Sequence, residues 1–490
     1  MNVGNKFLLV LLLPYFLFPQ ESDSLAIEEP ETGIILSGSS KTEYWLFLGD
    51  DSLIRKTEHF ETNTSFLLNY EQFFLTGNLF LYEPSRPKKP LRLISGSLEY
   101  RTPSLEASFG DFYALYGRGL VLRSYYDENF RYDKRLFGVQ GRAEFWHDEI
   151  RLLSARPRNI FFSENAYRFE NDTNDIIRAV EFNSFLIPNL ELSGRYLRLN
   201  RESDLTPQAF TEVFGPGIAF NYKSFEVYYE YAHKLQTREV IGGRKKGDGH
   251  YFNLSFSSSL LGILLEYEDY DSIDLGGVGF RYNDPPTPIK KGISVNRGVD
   301  ERGFGITGSL SLNKMKWEGN YAWFYTHKKE KGIREVNSKF EFELSEGFIP
   351  VFTGEYLKTT GIEAGIPFRE EIKPGLEIRL YSLERNFTLG GSFNWVKEGE
   401  TSYQERGVSL SADLFPDITL TLNYEMATKA VKRYDYERQW LLVECSLSLM
   451  TNLSLRFRVG REKGGLVCSG GVCRYEPPFS GIKGVLVARF

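Results

Sequence analysis

The chain has 490 residues, with 59 Lys and Arg against 65 Asp and Glu and a formal net charge of −6, a balance that leaves no electrostatic footprint for nucleic acid. Trp, Tyr and Phe number 6, 29 and 39, or 15% of the chain, more than a soluble core needs. Charged residues nevertheless make up 25% and mean hydropathy is −0.33, which excludes a bundle of apolar membrane-spanning helices, and three Cys exclude a disulfide scaffold.

Taken in chain order, Lys6 and the apolar run Phe7 to Phe18 read as a secretory signal, too short to cross about 30 Å of hydrocarbon as a helix. The small-x-small site Ser24-Leu25-Ala26 predicts a signal peptide over 1–26 and a mature chain over 27–490. Strand-like sequence starts near Gly33, leaving no room for the plug domain of an energy-coupled receptor or for the periplasmic repeats of insertion machinery. After YEPSRPKKP, a charged Pro-rich loop, comes GDFYALYGRGLVLRSY, Gly110 to Tyr125. These sixteen residues resemble the G-D-[FY]-x4-G-x-G-L element of several families of large, porin-like outer-membrane β-barrels of Gram-negative bacteria. Asp111, Phe112, Tyr113 and Arg118 lie within the matching stretch, and Gly110, Gly117 and Gly119 permit positive φ and close backbone approach, so the chain can leave a barrel wall there and fold inward. The following YYDENFRYDKRLFG does not alternate and carries Arg123, Asp127, Glu128, Arg131, Asp133, Lys134 and Arg135. Charges of both signs in such a stretch suit a plug or constriction inside a lumen; the plainer alternative is a surface loop.

Beyond this point the period is close to 2, the strand signal. FEVYYEY places Phe225, Val227, Tyr229 and Tyr231 on one face; SKFEFEL does so with Phe340, Phe342 and Leu344, and FTLGGSFNW with Phe387, Leu389, Gly391, Phe393 and Trp395. In DITLTLNYEM, Ile418, Leu420, Leu422, Tyr424 and Met426 oppose Thr419, Thr421, Asn423 and Glu425; in NLSLRFRV the face opposite Leu453, Leu455, Phe457 and Val459 carries Arg456 and Arg458. Apolar outside and charged inside is the pattern of a closed transmembrane sheet, in which only every second residue meets lipid. The expected fold is therefore all-β, a transmembrane antiparallel β-barrel of roughly 20 to 24 strands. Tight breaks at Ile187-Pro188-Asn189 and Phe415-Pro416-Asp417 contrast with the longer IGGRKKGDGH, YNDPPTPIKK and THKKEKGIRE, which read as solvated external loops.

Cys445 shares an apolar face with Leu441, Val443, Leu447 and Leu449. Cys468 and Cys473 flank Ser-Gly-Gly-Val, a turn that would set two sulfurs face to face in an oxidising compartment, so they are the candidate disulfide. The chain stops on GIKGVLVARF, which resembles the terminal strand by which barrel-assembly machinery recognises outer-membrane proteins, with Phe490 as the signal residue; Gly484 and Ala488 depart from that pattern. The five His lie in separate segments and no G-x-S-x-G or Walker loop is present, so neither an enzyme nor a cofactor or metal site is expected. The expected partners are outer-membrane lipid and glycolipid and the assembly machinery. The expected function is a porin-like channel for passive diffusion of small polar solutes, and the rival is a plugged, non-conducting barrel that is structural or binds surface glycan or a partner protein.

Overall fold

The computed structural model describes residues 33–48, 58–83, 91–127, 132–163, 166–170, 175–203, 206–236, 246–277, 280–289, 295, 298–362, 367–382, 385–431, 436–469, 472–476 and 478–490. The expected signal segment lies outside them. Twenty-four strands form one sheet. The first eight are β1 (Ile35–Phe47), β2 (Glu58–Tyr70), β3 (Phe73–Glu83), β4 (Leu91–Arg101), β5 (Leu105–Phe112), β6 (Leu136–Phe145), β7 (Asp148–Pro157) and β8 (Ile176–Ile187). Next come β9 (Leu190–Ser203), β10 (Thr206–Tyr222), β11 (Phe225–Gln236), β12 (Lys246–Ser257), β13 (Leu261–Asp271), β14 (Asp300–Leu312), β15 (Met315–Tyr325) and β16 (Gly332–Phe342). The last are β17 (Phe348–Thr360), β18 (Phe368–Ser382), β19 (Arg385–Glu398), β20 (Thr401–Phe415), β21 (Ile418–Ala427), β22 (Gln439–Met450), β23 (Leu453–Glu462) and β24 (Phe479–Arg489).

Each strand pairs antiparallel with the next, and β24 pairs with both β23 and β1, from Ser39↔Arg489 to Phe47↔Gly481, so the sheet meets itself and has no edge. The C-terminal residue completes that seam: Phe490 and Gly38 exchange backbone hydrogen bonds of 2.7 and 3.0 Å.

The two-residue period decides which side each residue takes. On β21 the outward file holds Leu420, Leu422 and Tyr424, and on β23 Phe457 and Val459, all exposed. On the inner face Arg458 donates to Glu444 at 2.5 Å, and Arg456, Lys339 and Glu425 remain 53, 38 and 49% exposed within the ring. Exposed charge inside and exposed Leu outside is stable only with water in the lumen and hydrocarbon around the wall. Cys445, on the outward file of β22 beside Leu441 and Val443, is a free thiol. This division predicts that Leu422→Arg costs about 2–4 kcal/mol in a vesicle-based urea unfolding titration, whereas Asn423→Arg, one residue on and facing the lumen, costs less than about 1 kcal/mol. Equal costs would mean that the two faces are misassigned.

Connections at the two ends of the barrel differ. Two-residue turns such as Trp146-His147, Pro188-Asn189, Lys223-Ser224 and Pro416-Asp417 sit at the end that also holds Ile35 and Phe490. The connections between β5 and β6, β7 and β8, β11 and β12, and β13 and β14 all lie at the opposite end and are far longer. Short turns on the periplasmic side and long loops outside are the habit of outer-membrane barrels.

Candidate functional site

The connection from β5 to β6 enters the ring. Gly110 starts the departure: its φ is +116°, and a Cβ there would stand 2.3 Å from the Gly96 carbonyl oxygen. Asp111 accepts the Gly96 N–H at 3.0 Å and pairs with Arg158 at 3.3 Å. Phe112 is buried and sits directly across from Leu136. Between them a small hairpin forms, Leu115–Tyr116 pairing with Leu122–Arg123, and its tip runs over Gly117 to Val121. Leu120, Val121 and Leu122 are 0% exposed, packed in one cluster with the inward-facing Ile177, Leu197, Leu199, Val213 and Ala232 of β8 to β11. Gly215 and Gly249 leave the wall bare where Val121 and Leu120 rest.

Charge fixes the depth of the tip. The N–H of Gly117 donates to Glu181 at 3.1 Å and that of Arg118 to Glu230 at 2.8 Å, while Tyr228 donates its hydroxyl to Glu230 at 2.7 Å. Arg195 lies between the two carboxylates, 2.5 Å from Glu181 and 3.5 Å from Glu230, and none of the three side chains is more than 3% exposed. Two buried anions are thus met by Arg195, by Arg151, which reaches Glu181 at 3.4 Å, and by the N–H groups of the tip, which is what makes burial of such charge tolerable. Gly117 has φ +63°, and a Cβ would fall 2.1 Å from a Glu230 oxygen, so only glycine fits against the carboxylate. The Arg118 guanidinium continues past Tyr228 to Glu226 at 2.8 Å, beside the Lys223-Ser224 turn. The hairpin therefore descends from the long-loop end to about mid-depth, where Glu181 and Glu230 lie near the middles of β8 and β11, and its Arg118 side chain reaches on towards the short-turn rim.

On the return, Gly119 accepts Asp284 N–H at 3.1 Å, and Arg123 donates its N–H to the Tyr282 carbonyl and pairs with Asp284 at 3.5 Å. Lower in sequence order, Tyr113 donates to Asp133 at 3.1 Å; Asp133 is fully buried and held by Arg135 at 2.7 Å, and Arg135 also donates to the Ile94 carbonyl at 3.1 Å. Lys134 covers the Tyr125 ring at 4.8 Å. Asp127 belongs to a backbone pair with Tyr132–Asp133, and Glu128 and Arg131 lie outside the described residues.

A second inward element was not legible as such. YNDPPTPIKK reads as a solvated loop, but Tyr282, Asn283 and Ile289 are buried. Asn283 donates to the Leu120 and Ile273 carbonyls, both at 2.9 Å, Tyr282 donates to Asp175 at 2.8 Å, and Tyr270 donates to the Pro286 carbonyl at 3.0 Å. Prolines suit this lining because they bring no N–H that would need a partner. The signal available in the sequence was Ile273 and Leu275, apolar and off the strand period, both 0% exposed.

Cys468 and Cys473 stand directly opposite each other in a five-residue ladder, Gly465–Ser469 with Val472–Glu476. No group of three or more His, Cys, Asp and Glu among the described residues is arranged to hold a metal ion.

A family model described as "Family of unknown function" (DUF6029) matches residues 5–277 and 410–490. No curated protein matches the sequence. Among solved structures the chain is similar to the translocation pore of the P pilus usher PapC, at 8% identity and a TM-score of 0.50, over 93% of this chain and 99% of that one. It is also similar to a P pilus tip assembly intermediate, PapC-PapD-PapK-PapG, of E. coli, at 10% identity and a TM-score of 0.54, over 96% of this chain and 63% of that one. The siderophore receptor PirA of Pseudomonas aeruginosa matches at 9% identity and a TM-score of 0.43, over 94% of this chain and 81% of that one. At these identities the likeness is one of barrel fold.

Proposed function

The chain belongs to the DUF6029 family of unknown function, and from its geometry we propose that it is an outer-membrane channel for passive diffusion of small polar solutes, narrowed by the hairpin of residues 115–123 and by residues 272–277 and 280–289 packed on it. Strand number supports the need for narrowing. Twenty-four strands about 4.8 Å apart, tilted about 40°, enclose a ring roughly 48 Å across, far wider than a filter for small solutes requires. The observation that carries the reading is the Gly117–Arg118 tip clamped by Glu181, Glu230 and Arg195, because it holds an obstruction at a fixed depth. Elsewhere on the inner face Tyr403 and Trp440 are buried with Val431, but Arg456, Lys339 and Glu425 stay half-exposed, which supports a polar path beside the obstruction. Folded protein added to a planar bilayer is expected to give small, uniform conductance steps. Reproducible absence of steps from correctly inserted protein would favour the plugged, non-conducting rival and end the channel reading.

A further inference from the structure

Outward positions high on β16, β17 and β19 carry three cations, Arg334, Lys358 and Lys397. Arg334 and Lys358 are direct cross-strand partners, Lys358 is opposite Glu370, and Glu370 is opposite Lys397. Opposed residues on antiparallel strands share a face, and the outward files below these turn apolar, with Phe340, Phe352, Leu376 and Leu389 exposed. Two like charges directly across a ladder destabilise it, so the pair needs an opposite charge. None of Arg334, Lys358 and Lys397 makes an ion pair among the described residues. Glu370, the single carboxylate in the row, already accepts the Tyr356 hydroxyl at 2.9 Å. Next to the row a groove of about 510 Å³ opens on the wall, lined among others by Glu370, Ile372, Trp395, Lys397, Ser402 and Gln404.

Height on the wall says what fills it. Lys358 stands ten residues above Phe348 at the short-turn end of β17, and ten residues at about 3.3 Å each, tilted about 40°, rise roughly 25 Å, the height of the apolar band of an outer-membrane barrel. The cations therefore sit where hydrocarbon ends and headgroups begin, on the long-loop side, with the exposed rings of Trp323 and Trp395 at the same level. We infer that this patch binds a phosphorylated, multiply acylated glycolipid of the external leaflet, its phosphates set among Arg334, Lys358 and Lys397 and its chains against Ile372, Trp395 and Leu376. The inference rests on the outer-membrane placement of the long-loop end and is indifferent to whether the lumen conducts.

The test uses the full-length folded protein in neutral detergent, titrated with bisphosphorylated lipid A and followed by native mass spectrometry. Replacing all three cations (R334Q/K358Q/K397Q) is expected to weaken binding about a hundredfold, since each basic side chain at an anionic membrane surface is worth on the order of fivefold. Lipid A stripped of phosphate is expected to bind the unaltered protein as weakly. Retained affinity in the triple variant, indifference to the phosphates, or displacement of the lipid by millimolar inorganic phosphate would each overturn the inference. The variant's resistance to unfolding in detergent and its bilayer conductance should match those of the unaltered protein, which separates a lost lipid site from a lost fold and from failure of the channel reading.

Discussion

Arg195→Met is expected to free the hairpin tip and enlarge the pore. The substitution keeps much of the side-chain length but removes the cation between Glu181 and Glu230, whose side chains are 3 and 0% exposed. Breaking a buried ion pair by deleting one partner costs about 3–5 kcal/mol, because an uncompensated charge is left behind. Arg151 still reaches Glu181 at 3.4 Å, but Glu230 is left with the Arg118 N–H and the Tyr228 hydroxyl and no paired cation, so that carboxylate will seek water and the tip will lift off it. A cysteine placed at Leu120, which is 0% exposed in the native arrangement, reads this directly: a polar maleimide should label L120C/R195M at least about tenfold faster than L120C, given a destabilisation of that size. Conductance should rise in parallel. Neutralising the partners as well, in R195M/E181Q/E230Q, should restore most of the protection, since amide oxygens still accept the tip N–H groups without stranded charge. Unchanged labelling in R195M would show that the clamp does not hold the hairpin.

What the sequence could and could not reveal follows from the same geometry. The wall was legible because hydrocarbon on one side and water on the other impose a strict alternation: Leu420, Leu422 and Tyr424 point out for the reason that Thr421 and Asn423 point in. The inward turn at Gly110 was visible as a loss of alternation joined to closely spaced glycines. The clamp was not visible. Glu181, Arg195 and Glu230 occupy inward strand positions where any lumen charge is unremarkable, and only the fold brings residues 181, 195 and 230 against 117 and 118. A subtler sign was nevertheless present. Ile177, Leu197, Leu199 and Val213 are apolar at inward positions, where a water-filled ring calls for polar ones. Apolar residues on both faces of β8 to β10 mean that something covers the inner face, and the hairpin is that cover. The same sign marks Ile273 and Leu275, which is why the Pro-rich stretch after them turned inward against the expectation of a solvated loop.

Removing the hairpin outright should have the largest effect on permeation. Phe112 and Leu136 are cross-strand partners, so residues 113–135 can be replaced by Asn-Gly, the favoured two-residue hairpin turn, without shifting the register of β5 and β6. The deletion also strips the 272–289 segment of its contacts at Gly119, Leu120 and Arg123, so both obstructions loosen together and single-channel conductance should increase several-fold, in line with the area they occupy in a ring of roughly 48 Å. The change will lower stability, because Ile177, Leu197, Leu199 and Val213 become wetted and each fully buried aliphatic side chain is worth about 1.5–3 kcal/mol. A companion variant that adds I177S/L197S/L199S to the deletion suits the new aqueous surface and should recover folding while keeping the wide pore. If the companion folds, inserts and conducts no better than the unaltered protein, then the hairpin does not narrow the path, and the limiting constriction lies elsewhere in the ring.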